Sequence, residues 1–172
     1  MKVKRLTLTV LIVLLAVSAL SAEAFPRFTA TDLEGKSVND GIFRKNTVTV
    51  VNFWFSTCQP CLSEKPDLDA LDKELREKGG SVIGINADTL DNNTKMIKKA
   101  QEILKKKGAS YTNITFSSKS QLGKLVSSLT AFPTTYVVDS SGNIVGSPIL
   151  GSITSDKMKA KLNSLIDQAL GK

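Results

Sequence analysis

The sequence predicts an α/β fold in which a central mixed β-sheet is flanked by helices, and three observations predict it. The runs Thr47–Phe55 and Ser81–Ala87 are almost continuously apolar and β-branched, as strands buried on both faces are. Segments with apolar residues at helical spacing alternate with those runs, the pattern of a layered α/β architecture. A further strand-like run, Thr134–Asp139, leads into the turn signal Ser140-Ser141-Gly142-Asn143 and so adds an antiparallel pair.

Residues 1–24 stand apart from that fold. Lys2, Lys4 and Arg5 form a basic start, an apolar stretch runs from Leu6 to Leu20, and Ala22-Glu23-Ala24 has the small-x-small form of a cleavage site. The fifteen residues of that stretch at ~1.5 Å each reach about 22 Å, short of a ~30 Å hydrocarbon core. The segment therefore reads as a cleaved secretory signal, with retention as a membrane anchor as the alternative. No cysteine follows it to carry a lipid. Residues 25–172 then form one domain, and removing the leader takes the net charge from +7 to +5. The expected address is extracytoplasmic, in the periplasm or on the outer face of the cytoplasmic membrane, where a thiol pair can cycle or stay oxidised.

Within the domain, Phe28–Val38 carries the turn Asp32-Leu33-Glu34-Gly35 and reads as a hairpin. Thr47–Phe55 is the first buried strand. Gln59–Lys78 is helical in pattern, with Leu62, Leu68, Leu71 and Leu75 on one face and Gly79-Gly80 as its stop; Pro66 should kink it by freeing the Leu62 carbonyl. Ser81–Ala87 is the second buried strand. Thr94–Lys107 is amphipathic and ends at Gly108, and a third helix is expected over Lys119–Ser128. Thr134–Asp139 pairs with Ile144–Pro148, and a closing helix covers Ser155–Leu170 with Ser155 as its N-cap.

Composition removes several chemistries. The chain has no histidine, which excludes a Ser-His-Asp hydrolase, a Cys-His protease and any imidazole-ligated metal. Its two cysteines cannot complete a structural zinc site by themselves, so no metal is expected. They stand as Cys58-Gln59-Pro60-Cys61, directly after a buried strand and opening a helix. A purely structural disulfide is the competing reading. A loop this small gains well below the ~3 kcal/mol of a 15-residue loop, and its position at a strand-to-helix exit leaves it open to exchange. At a helix N-terminus, unpaired backbone N–H groups and the helix dipole stabilise a thiolate. Cys58 is thus the attacking sulfur and Cys61, one turn inward, the resolving one. Pro60 in the first turn sacrifices no intrahelical hydrogen bond.

Asn52-Phe53-Trp54 running into Cys58-x-Pro60-Cys61, then Glu64-x-Pro66-x-Leu68, resembles the extracytoplasmic thioredoxin-like thiol–disulfide oxidoreductases of the TlpA/ResA type. Phe132-Pro133-Thr134-Thr135 before a strand ending in Asp139, then Gly142, looks like that family's cis-proline loop and final hairpin. The resemblance implies a thioredoxin fold with an extra N-terminal β-hairpin and an inserted helix, and a substrate groove at Phe132, Pro133 and Thr134. It also implies thiol–disulfide exchange with protein partners such as apocytochromes, electrons from an integral-membrane thiol carrier, no dissociable cofactor, and a monomer. Trp54, Thr57, Pro60 and Glu64 are the supporting residues. Four positions depart from the pattern. Thioredoxins place a buried acid where this chain has Asn52. ResA-like members carry a buried Glu in the next strand, matched by Ser81 here. Thr57 stands where Trp is common before the nucleophile, and bulky Phe132 precedes the cis-proline. Glu64 is the nearest retained carboxylate, with a surface or capping role weighed against a catalytic one.

Two other function classes are carried. A thioredoxin-fold binding module with a permanent Cys58–Cys61 bond would capture partners without chemistry. A thiol peroxidase would exploit Thr57-Cys58, but no arginine is placed to stabilise a peroxide. The lysines of Thr94–Lys107 read as a solvated face, since no aromatics interleave with them, and nucleic acid is not an expected partner.

Overall fold

The computed structural model describes residues 23–172. Its elements are, in chain order, β1 (Thr29–Asp32), β2 (Ser37–Asn39), α1 (Gly41–Lys45), β3 (Val48–Trp54), α2 (Gln59–Ser63), α3 (Lys65–Glu77), β4 (Ser81–Asn86), a 3-10 stretch (Ala87–Asn92), α4 (Thr94–Lys106), β5 (Thr112–Thr115), α5 (Gln121–Ser128), β6 (Thr134–Asp139), β7 (Ile149–Leu150) and α6 (Asp156–Ala169). They build one seven-stranded sheet in the order β2-β1-β5-β4-β3-β6-β7. Parallel β3, β4 and β5 form its centre, β6 runs antiparallel to β3, and the β1–β2 hairpin joins antiparallel to β5. Most of the leader expected over residues 1–24 lies outside the described residues. Glu23 and Ala24 already belong to the fold: the Ile144 N–H donates to the Glu23 carbonyl at 2.7 Å, and Ala24 bridges Asn143.

All seven residues of β3 are buried, as its unbroken apolar run requires. Strand alternation divides them between two cores. Val48 and Val50 pack with Leu68, Leu75, Leu162 and Ile166 under α3 and α6. Val51 and Phe53 pack on the other face with Phe25, Phe28, Phe43 and Leu122. Trp54 belongs to a third cluster at the carboxyl end of β3, with Cys58, Cys61, Ala100 and Leu104. The sheet thereby delivers both cysteines to the end of its central strand.

Three expectations change. The helix over Gln59–Lys78 is two helices that share Glu64 as a cap, with φ −86° and ψ −4° there. Pro66 has no N–H for the Leu62 carbonyl, so the ladder breaks one residue before α3 begins. The partner of β6 is not a continuous Ile144–Pro148 strand. Ile144 bridges Val138 and the Val145 N–H donates to the Val137 carbonyl, but regular pairing resumes only at Ile149–Leu150. Pro148 cannot donate to a ladder, so that stretch bulges. Strand β5 and the short α1 had no sequence signal. β5 reads Thr-Asn-Ile-Thr and lacks the aliphatic run of its neighbours.

Candidate active site

The Phe55–Thr57 loop turns β3 into α2 and is held by side chains from the end of β4 and the 3-10 stretch that follows it. The Ser56 N–H donates to Asp88 Oδ2 at 2.8 Å, and Asn86 Nδ2 donates to Ser56 Oγ at 3.1 Å. Cys58 is the N-cap of α2, in extended backbone, and its Sγ accepts the Cys61 N–H at 3.2 Å. Cys58 and Cys61 are joined by a disulfide. Cys58 keeps 6% of its surface and Cys61 none, so an incoming group meets Cys58 first. Thr57, Gln59 and Pro60 are exposed around it.

The other nominated residues gather nearby. The Phe132–Pro133 peptide is cis. Phe132, half-buried, packs on the cluster that holds Trp54 and both sulfurs, and its ring meets Phe55 edge-on at 5.1 Å. Pro133 is buried and its carbonyl accepts the Gly151 N–H at 2.8 Å. Thr134 turns its hydroxyl back to the Ala131 carbonyl at 2.7 Å, so its side chain serves the loop. Thr135, which the sequence did not single out, points its hydroxyl at Asn52.

Asn52 is the hub beneath the disulfide. Its Nδ2 donates to Glu64 Oε1 at 2.8 Å and to Thr135 Oγ1 at 3.0 Å, while its Oδ1 accepts from Lys65 Nζ at 3.1 Å. Glu64 Oε2 accepts the Ile153 N–H at 2.9 Å. Lys65 Nζ lies 4.2 Å from the centre of the Trp54 ring, and Trp54 Nε1 donates to Asn113 Oδ1 at 2.9 Å. Glu64, Lys65 and Asn52 have no exposed surface. Glu64 is therefore neither a surface residue nor a side-chain cap, since it makes no capping hydrogen bond. Burial pushes its carboxyl above the usual range, against the pull of the Ile153 N–H, the Asn52 amide and the Lys65 charge. Burial drives Lys65 down to about 7, opposed by the Glu64 charge.

Ser81 does not occupy the place of a buried acid. It registers with Thr49 and so faces the opposite side of the sheet from Asn52, where it accepts from Asn46 Nδ2 at 2.7 Å. The residue beside Asn52 in β4 is Gly84, and a Cβ there would collide with the Asn113 amide. Of the two acid positions of the resemblance, the first thus holds the Asn52 amide and the second, Ser81, faces away from it, and the carboxylate that meets Asn52 comes from the helix instead. Lys65 was missed altogether, although a signal existed: Cys61, Lys65, Leu68, Asp72 and Leu75 recur at the spacing of one buried helical face. Asn113, in an Asn-x-Thr sequon, is buried and bonded to Trp54, which closes it to modification. Lys95, Lys98, Lys99, Lys105 and Lys106 are exposed on α4.

Comparison with known proteins agrees with this geometry. The Redoxin family model matches residues 20–166. The chain is 32% identical over 128 residues to the thiol:disulfide interchange protein HelX of Rhodobacter capsulatus, covering 74% of this chain and 65% of that one. It is 26% identical over 140 residues to the thiol-disulfide oxidoreductase ResA of Bacillus thuringiensis, covering 81% and 75%. A thioredoxin-family thiol:disulfide interchange protein of Chlorobium tepidum superposes with a TM-score of 0.68 at 25% identity, over 87% of this chain and 97% of that one. With a family match across most of its length and a disulfide at the helix start, the chain belongs to the Redoxin family, among its thioredoxin-fold thiol–disulfide oxidoreductases.

Proposed function

We propose that the protein is an extracytoplasmic reductant of protein disulfides, with Cys58 as nucleophile, Cys61 as resolving thiol and Glu64 as the acceptor of the Cys61 proton. The observation that carries this reading is the Cys58–Cys61 pair at the start of α2 with a buried carboxylate one turn deeper. In the reduced protein the Cys58 thiolate attacks one sulfur of a client disulfide, forming a mixed disulfide and expelling the other client sulfur as a thiolate. Cys61 then gives its proton to Glu64 and attacks Cys58 Sγ. The second client thiolate leaves, and the Cys58–Cys61 bond closes. Two electrons have passed to the client, and an external dithiol must return them. Cys61 and Glu64 stand three residues apart across the end of α2, the spacing of neighbours on one helical face, and the proton would pass between them directly or through one water.

The leader over residues 1–24 supports an address outside the cytoplasm, and an integral-membrane thiol carrier is the donor suited to it. Client proteins such as apocytochromes would dock their extended backbone along Phe132–Thr134. A reducing direction follows from the Gln59-Pro60 spacer, which adds no positive charge to stabilise the reduced state. Equilibration with glutathione buffers tests it. The couple should lie nearer the roughly −270 mV of thioredoxin than the roughly −120 mV of a dedicated oxidant, and a midpoint more positive than about −180 mV would replace the reductant with an oxidase or isomerase. A disulfide that resists reduction even far below the glutathione range would make it a binding module.

A further inference from the structure

Glu64 can accept a proton only if it is ionised when Cys61 must lose one, and a carboxylate with no exposed surface resists ionisation. The groups packed around it show what offsets that. Among the described residues, the buried carboxylates of α3 have cations of their own: Asp69 is paired with Lys73 at 2.7 Å and Asp72 with Arg76 at 2.6 Å. β3 and β6 contribute only the uncharged Asn52 and Thr135, and the segment before α6 contributes the Ile153 N–H. Tyr111, whose ring centre is 5.9 Å from Lys65 Nζ, carries a buried hydroxyl that burial holds neutral. Lys65 is the cation that remains, and it reaches Glu64 through the Asn52 amide, which accepts from the ammonium on one side and donates to the carboxylate on the other.

We propose that Lys65 is a positioning residue for the exchange reaction: its charge, relayed through the Asn52 side-chain amide and held against the face of Trp54, keeps Glu64 a carboxylate one helical turn from Cys61. The inference rests on the reading of Glu64 as proton acceptor. It assigns to this chain an uncharged amide with a buried cation behind it, where a single buried acid on the strand would otherwise serve. The Trp54 face favours the ammonium over the amine, because the ring quadrupole is negative there. Lys65 touches neither sulfur chemistry nor client, so its effect must appear in the pH dependence of one step.

The two steps separate when the purified, reduced protein is mixed with 5,5′-dithiobis(2-nitrobenzoate). The first coloured thiolate is released as Cys58 is modified, and the second only as Cys61 resolves the mixed disulfide. The second release should rise with pH along a limb set by Glu64. Lys65→Gln, which keeps a donor for Asn52 and loses the charge, should move that limb up and slow the second release at pH 6 by roughly tenfold, equivalent to one pKa unit. Lys65→Arg should restore most of the rate. In a Glu64→Gln background, Lys65→Gln should change the second release by less than about twofold, because its route of action is gone. An equal effect of Lys65→Gln in both backgrounds, or an unshifted limb in Lys65→Gln alone, overturns the role of Lys65. A limb that survives Glu64→Gln overturns instead the reading of Glu64 on which it rests. The unsubstituted protein provides a test that needs no variant: with 13C-labelled glutamate, the Glu64 carboxyl carbon should have the shift of a carboxylate at pH 7, and a protonated carboxyl there refutes the proposal.

Discussion

Replacing Asn52 by leucine, close to it in shape, leaves Glu64 and Lys65 buried with nothing between them. The substitution removes two charge-assisted hydrogen bonds, from Lys65 Nζ and to Glu64 Oε1, and one neutral bond to Thr135. At about 1.5–3 kcal/mol for each charged bond and ~1 kcal/mol for the neutral one, the gross loss is roughly 4–7 kcal/mol. Burying the leucine side chain returns about 1.5–3 kcal/mol. Matching the ends of the two ranges, the net cost is then about 2.5–4 kcal/mol, overlapping the roughly 3–5 kcal/mol seen when one partner of a buried charged group is removed. With a urea m-value of about 2 kcal/mol/M, the unfolding midpoint of the oxidised protein should fall by roughly 1.2–2 M. The triple variant Asn52→Leu, Glu64→Gln, Lys65→Met leaves no buried charge there and should recover most of that loss. A drop below about 0.5 M for Asn52→Leu alone would show that the two charges are hydrated in solution, and the network would lose both its energetic and its chemical role.

Iodoacetamide should modify Cys58 of the reduced protein well before Cys61, since the helix terminus stabilises a thiolate at Cys58 and Cys61 is buried; equal or reversed rates contradict the assignment. Trp54 is the chain's single tryptophan and carries Lys65 on its face, so its emission should titrate with a midpoint of about 7 in the protein and lose that transition in Lys65→Met. Burial raises the Asp69 carboxyl, but the bonds from Lys73 and Ser110 outweigh it and hold the group below its ordinary value. Its stabilisation is therefore complete above the unfolded value of about 3.9 and disappears as pH falls through the folded one. Urea midpoints of the protein and of Asp69→Asn should accordingly differ at pH 6 and converge as the pH falls through the depressed folded value.

The fold was legible because its central elements are simple in pattern. A continuous apolar run needs two covered faces, so β3 and β4 announce themselves, and Ser155, whose Oγ accepts the Met158 N–H at 3.3 Å, marks the start of α6. The cysteine pair was legible for the same local reason: a strand-to-helix junction with a sulfur at the N-cap is contained in a dozen consecutive residues. What the sequence by itself determined is thus the fold class and the pair of sulfurs at the start of a helix. Only the tertiary structure decided what lies beneath them. Polar β5 is a strand through its pairing with β4 and β1, and its Asn113 meets Trp54, 59 residues earlier in the chain. Ser81 proved irrelevant because register, a two-residue alternation set by pairing with Thr49, turns it to the wrong face. Glu64 and Lys65 look like ordinary exposed helix residues until α2 and α3 are seen to carry them inward against Asn52. The helical spacing of Lys65 with Cys61, Leu68 and Leu75 hints at a buried face, but the Asn52 partner that joins Lys65 to Glu64 is set by packing of the helix on the sheet.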